Sequence, residues 1–90
     1  MGKETRLFKS EERMARAAAA AFLRELADKV EGGEVVLRQG AEELTLTLPE
    51  SLVLEVQAED EDKGTRGIQH SLEVELAWFD GEQGGPLELG

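Results

Sequence analysis

The chain has 90 residues, enough for one domain with a small hydrophobic core. It contains no cysteine, which excludes disulfides, thiolate nucleophiles and thiolate metal ligands. Its net charge of -10 opposes binding to nucleic-acid phosphates, so we expect no nucleic-acid partner. No apolar run approaches the roughly 20 residues that span a bilayer, so we expect no membrane partner. Because the first residues lack a signal-peptide pattern, we expect a cytoplasmic protein.

Charge is distributed unevenly along the chain. The first 30 residues carry seven basic and five acidic side chains, a sum of +2, which leaves -12 for the rest. Two interpretations are open. The acidic surface either keeps a small domain soluble or binds a cationic partner.

A short strand and a long helix are the first predicted elements. Residues 5–9 (TRLFK) are predicted as the strand. The helix is predicted over 11–31, with Ser10 as its N-cap and Gly32-Gly33 as its stop, because this segment holds five consecutive alanines and no Gly or Pro. The residues at helical spacing on its predicted buried face are Ala15, Ala19, Phe22, Leu23, Leu26 and Val30.

Alternating apolar and polar residues predict four further strands. Residues 34–38 and 43–48 form a hairpin around QGAE, residues 52–59 resume the pattern after Pro49, and the last strand begins at Ile68 after a loop over 60–67. The predicted inward-facing residues are Val35, Leu37, Leu44, Leu46, Leu48, Leu52, Leu54, Val56, Ala58, Ile68, His70, Leu72, Val74, Leu76 and Trp78.

The element order β-α-β-β-β-β predicts an α+β domain over residues 1–79. One long helix should pack on one face of a mostly antiparallel four- or five-stranded sheet, because a polar outer phase is typical of antiparallel pairing. Residues 80–90 are predicted to be a disordered, acidic, glycine-rich tail.

Four segments stand out along the chain: LFKSEE before the helix, LRELADKVEGGEVVL at the helix-to-strand junction, LTLPESLVLEVQAE in the middle, and SLEVELAW, which ends on Trp78. Together they resemble the Amphi-Trp domain family of small bacterial and archaeal proteins. The resemblance covers roughly residues 5–78. It implies no substrate, cofactor or catalytic residue.

Candidate chemistry in the chain is sparse. His70 could act as a general base, but with no cysteine and no second histidine we favour a strand-end histidine hydrogen-bonded beside the loop. The run from Asp60 to Asp62 departs from the calcium-loop pattern, which needs an oxygen ligand where Gly64 stands and a glutamate where Ser71 stands. We therefore expect no catalytic, cofactor or metal residues, and an enzyme is disfavoured.

Trp78 has two possible roles. Its phase with Leu76 favours a core plug over an exposed anchor for a partner. Val36, Val53 and Phe79 lie out of phase on their strands and could form a small outer apolar patch if they adjoin.

The leading hypothesis is a non-enzymatic binding or assembly module. Its acidic outer sheet face would meet a basic protein partner, unless Arg38, Lys63 or Arg66 neutralises that face. The alternative is a small-ligand site or enzyme with its site between helix and sheet near His70. We expect a monomer or a weak homodimer formed through strand edges. The candidate partner-binding residues are Glu55, Glu59, Glu73 and Glu75.

Overall fold

The computed structural model describes residues 2–81. In this part of the chain one helix is followed by four strands, all paired antiparallel, which confirms the α+β class. The chain divides into two compact units, Met1–Leu48 and Pro49–Gly90, and each is described by itself. The elements are α1 (Arg16–Gly32), β1 (Glu34–Gln39), β2 (Glu42–Thr47), β3 (Val53–Asp62), a 3-10 turn (Gly64–Arg66) and β4 (Ile68–Ala77).

Helix α1 begins later than predicted. Its N-cap is Ala15, with an extended backbone and no side-chain cap, so Ser10 is not the N-cap. The helix starts where the alanine run begins, because alanine has the highest helix propensity. Its end was predicted correctly: Gly33 has a φ of 86° and donates its N–H to the Val30 carbonyl oxygen at 3.0 Å. Over the described residues, no helix has the length and hydropathy needed to cross a membrane.

The predicted strand at residues 5–9 is wrong. These residues form no regular element in the structure. A strand needs a neighbouring strand to accept and donate its backbone hydrogen bonds, and both described sheets contain only two strands each, drawn from later in the chain. Leu7 is accordingly exposed.

The first unit packs α1 against the hairpin β1–β2. Gly40 and Ala41 form the two-residue turn, and only Gly40 has a positive φ, as the first position of a type II′ turn requires. The register pairs Val35 with Leu46, so the predicted inward phase of this hairpin is confirmed. Val35 and Leu48 are the buried hydrophobic residues of the described chain.

The predicted buried stripe of α1 is only partly covered. Leu26 and Val30 are half-buried, whereas Phe22 and Leu23 are more than half exposed. Within this unit the helix meets β1, and a two-stranded sheet is too narrow to cover the whole stripe. A shallow depression of about 140 Å³ remains between α1 and β1.

The second unit is a long hairpin in which β3 and β4 pair over ten residues each. Strand β3 runs further than predicted, because residues 60–62 belong to it, and the loop is shortened to residues 63–67. Strand β4 begins at Ile68, as predicted. The Lys63 N–H donates to the Gly67 carbonyl oxygen at 2.8 Å and closes this loop. The predicted shared phase from Leu54 to Ala58 and from Ile68 to Leu76 is confirmed, but that face is largely exposed.

The predicted single sheet is not confirmed: among the described strands, β1 pairs with β2 and β3 pairs with β4. The break lies between β2 and β3, where Pro49 has no N–H to donate to a ladder. The Leu48 N–H instead donates to the Gly33 carbonyl oxygen at 2.8 Å, which ties the end of β2 to the end of α1. Of the predicted tail, residues 82–90 lie outside the described residues.

Candidate protein-interaction surface

The hairpin β3–β4 has two faces of opposite chemistry, because alternate residues of a strand point to opposite sides of the sheet. We call one the acidic face. Across the ladder, residues of β3 and β4 on this face stand opposite one another in five pairs. The pairs are Val53 with Ala77, Glu55 with Glu75, Gln57 with Glu73, Glu59 with Ser71 and Glu61 with Gln69.

All four candidate partner-binding residues lie on the acidic face. Glu55 of β3 stands directly opposite Glu75 of β4. Glu73, also on β4, stands opposite Gln57. The Gln57 amide donates a hydrogen bond to the Glu59 carboxylate. The sequence prediction that these carboxylates share one face is therefore confirmed. Three of them, Glu55, Glu73 and Glu75, line an open depression of about 230 Å³ together with Gln57 and Val74.

Two of the three predicted neutralising residues form ion pairs with carboxylates other than those of the four candidates, and one of these carboxylates, Glu61, lies at the loop end of the acidic face. Arg38 pairs with Glu43 of its own hairpin at 2.7 Å, and Lys63 pairs with Glu61 at 3.2 Å. Among residues 2–81, no lysine or arginine nitrogen lies within 4.0 Å of the carboxylates of the four candidate residues. This central part of the acidic face therefore carries uncompensated negative charge.

His70 lies on the other face of the hairpin, opposite Asp60. Its Nδ1 is 2.5 Å from the Asp60 Oδ1, and both side chains are mostly exposed. The predicted strand-end histidine with a hydrogen bond beside the loop is confirmed. The adjacent Ser71 points to the acidic face and donates from its Oγ to the Glu59 carbonyl oxygen at 3.4 Å, so the imidazole does not face that hydroxyl. The Asp60 partner was missed because residues 60–62 were predicted as loop.

The three acidic residues at the end of β3 do not converge. Asp60 and Asp62 share one face of the strand, and Glu61 points to the other. The Asp62 Oδ1 accepts the Gly64 N–H at 2.8 Å, so this carboxylate caps the turn. Within the described part of the chain, no three His, Cys, Asp or Glu side chains are placed to hold a metal ion.

Trp78 follows β4 and is half-buried, whereas most residues of its own hairpin are exposed. The prediction that it plugs the core therefore stays a prediction. Val53 and Phe79 are strongly exposed, as predicted. Val36 belongs to the first unit, and the proposed contiguity of this patch stays a prediction.

A comparison with protein-family models matches the chain to the Amphi-Trp domain over residues 1–90. The sequence resemblance is thereby confirmed over a longer stretch than the quoted motifs. No curated protein and no solved structure matches the chain.

Proposed function

The chain belongs to the Amphi-Trp domain family, and we propose that it is a non-enzymatic binding module whose acidic face meets a basic protein partner. The observation that carries this proposal is the Glu55–Glu75 pair. Like charges directly opposite each other in an antiparallel ladder destabilise the hairpin, and here no described basic side chain compensates them.

The two described hairpins differ in the charges of residues that stand opposite each other on their paired strands. In β1–β2, the residues Arg38 and Glu43 stand opposite each other and form an ion pair at 2.7 Å. In β3–β4, Glu55 and Glu75 stand opposite each other, and both are negatively charged. Solubility alone would be served by either arrangement, since both expose charge to water. A lysine or arginine brought by a partner would relieve the repulsion only in the second hairpin, which supports a binding role for that hairpin.

Glu55→Gln/Glu75→Gln is the variant that tests this proposal. It removes two charges from the acidic face and keeps the size and hydrogen-bonding capacity of the side chains. Glu34→Gln/Glu42→Gln is the matched control, because it changes net charge equally on exposed residues of β1 and β2. Each immobilised protein is used to capture partners from an extract of the source organism, at low and at high salt, with quantitative mass spectrometry.

We expect the parent and the control to retain the same basic proteins and the acidic-face variant to lose them. High salt should release these partners from the parent, because exposed charges are screened over about 8 to 10 Å at physiological ionic strength. Capture of the same partners by all three proteins, or equal loss in both variants, would overturn the proposal. So would a parent that retains no basic protein.

A further inference from the structure

The outer edge of β4 carries backbone groups that no described strand pairs. The sheet to which β4 belongs has two strands, so β3 lies on one side of β4, and no strand within residues 2–81 lies on the other. The side chains of β4 alternate between two faces. Glu73 and Glu75 lie on the acidic face, and Leu72, Val74 and Leu76 lie on the opposite one.

The loop shows which backbone groups of β4 point to this outer edge. The Lys63 N–H donates to the Gly67 carbonyl oxygen at 2.8 Å, and these two residues continue the register of the ladder by one further pair. In an antiparallel ladder, pairs that exchange hydrogen bonds alternate with pairs that do not. The residues of the acidic face therefore bond to β3, whereas Leu72, Val74 and Leu76 direct their N–H and carbonyl groups to the outer edge.

We propose that an extended segment of a basic protein, in which lysine or arginine alternates with apolar residues, adds to the outer edge of β4 as an antiparallel third strand. The proposal rests on the proposed function of the acidic face and names the form of the partner. The backbone of the apolar residues would bond to Leu72, Val74 and Leu76, and the basic side chains would lie beside Glu73 and Glu75. A third strand also stabilises a sheet that has only two.

The acidic side chains of β4 are available to such a segment, whereas those of β3 are partly engaged. On β3, the Glu59 carboxylate accepts a hydrogen bond from the Gln57 amide, and Glu61 forms an ion pair with a lysine at 3.2 Å. Within the described part of the chain, the Glu73 and Glu75 carboxylates take part in neither a hydrogen bond nor an ion pair. A basic strand is therefore better accommodated beside β4 than beside β3.

Charge complementarity favours a basic segment over a second copy of this chain at the edge. Two copies paired through the same residues of β4 would bring Glu73 and Glu75 of one next to the same glutamates of the other, and like charges opposite each other destabilise a sheet. Each copy also carries a net charge of -10. A uniformly basic segment fits less well than an alternating one, because every second charge would lie beside the apolar Leu72 and Val74.

Synthetic peptides test the edge through their own backbone. The probe is a fluorescent peptide in which lysine and valine alternate, Lys-Val-Lys-Val-Lys-Val-Lys. Two derivatives carry the same number of N-methyl groups, on the valine amides in one and on lysine amides in the other. Antiparallel pairing with β4 uses the valine N–H groups, whereas the lysine N–H groups point away from the sheet. A block peptide of the same composition, its lysines followed by its valines, controls for charge.

Fluorescence anisotropy with the full chain measures each dissociation constant at low and at high salt. We expect the unmethylated and lysine-methylated peptides to bind, more weakly at high salt. Valine methylation should weaken binding by roughly tenfold or more, because it removes the donors of the bonds to β4. The block peptide should bind more weakly than the alternating one. Glu73→Gln/Glu75→Gln should weaken binding of the alternating peptide more than the control Glu34→Gln/Glu42→Gln, with circular dichroism verifying that both variants are folded.

The outcomes separate this inference from the proposed function. Equal effects of the two methylations, a greater loss from lysine methylation, or equal binding of the block peptide would overturn pairing at the edge. Each of these would leave the acidic face as a binding surface for positive charge. Absence of binding by every peptide would also overturn the inference, and capture of basic proteins from the extract would then decide the proposed function by itself.

Discussion

Glu55 lies directly opposite Glu75 in the β3–β4 ladder, and no lysine or arginine described in the structure lies within ion-pair distance of either carboxylate. Opposite residues of an antiparallel pair have Cβ atoms about 4.5 to 5.5 Å apart, so the two charges repel each other. A hairpin that retains this arrangement should be measurably less stable than one in which one charge is removed.

We therefore predict that Glu55→Gln raises the free energy of unfolding by a few tenths of a kcal/mol at low ionic strength. The gain should fade as salt is added, because screening removes the same repulsion in the parent. Urea titrations at two salt concentrations measure both effects. Glu61→Gln is the control, since it deletes a carboxylate paired with Lys63 at 3.2 Å and should give no gain. Equal effects of the two substitutions would show that the repulsion is not specific to the Glu55–Glu75 pair.

Adjacent glycines at the end of α1 should respond to alanine in opposite directions. Gly32 is the last helical residue, and the space that an alanine Cβ would occupy there is open, so Gly32→Ala should stabilise by about 0.5 to 1 kcal/mol. Gly33 has a φ of 86°, which an L side chain adopts only with strain, so Gly33→Ala should destabilise by about 1 to 2 kcal/mol. Thermal unfolding followed by circular dichroism distinguishes the two. A stabilised Gly33→Ala variant would contradict the left-handed C-cap.

Trp78→Ala should cost about 2 kcal/mol, below the roughly 3 to 5 kcal/mol of a fully buried aromatic residue, because the indole is only half-buried. Val53→Ala, at a strongly exposed position, is the reference and should change stability by less than about 0.5 kcal/mol. Urea unfolding of both variants gives the comparison. A loss above about 3 kcal/mol would place Trp78 in the core.

Local periodicity predicted much of the fold. The alternation of Leu54, Val56 and Ala58 with glutamates and glutamine predicted which side chains share a face, and the ladder confirms it. The stop at Gly33 was predictable because glycine readily adopts a positive φ. Both properties depend on residues close together in the sequence.

Properties that depend on distant partners were not predictable in the same way. Residues 5–9 have the composition of a strand, but none of the four described strands pairs with them. Ser10 has a side chain that could cap a helix, but the helix begins later, at the alanine run. Phe22 and Leu23 were assigned to the core from spacing alone, although spacing identifies an apolar stripe without showing what covers it.

The candidate surface was predicted in part. The alternation of β3 and β4 placed Glu55, Glu59, Glu73 and Glu75 on one face, but the register that puts Glu55 opposite Glu75 depends on where the loop ends. The loop was predicted to begin at residue 60, so the Asp60–His70 pair was not found. Only the ladder shows these pairings.

Zero-length carbodiimide cross-linking of the chain to a captured basic partner tests the central claim most directly. This reaction joins a carboxylate to a lysine amine only where the two are in contact, so the joined glutamates identify the bound face. We predict that Glu55, Glu73 and Glu75 dominate the cross-linked peptides and that high salt abolishes them. Cross-links concentrated at Glu34, Glu42 or Glu43 of the other hairpin, or in residues 82–90, would contradict a binding role for the acidic face.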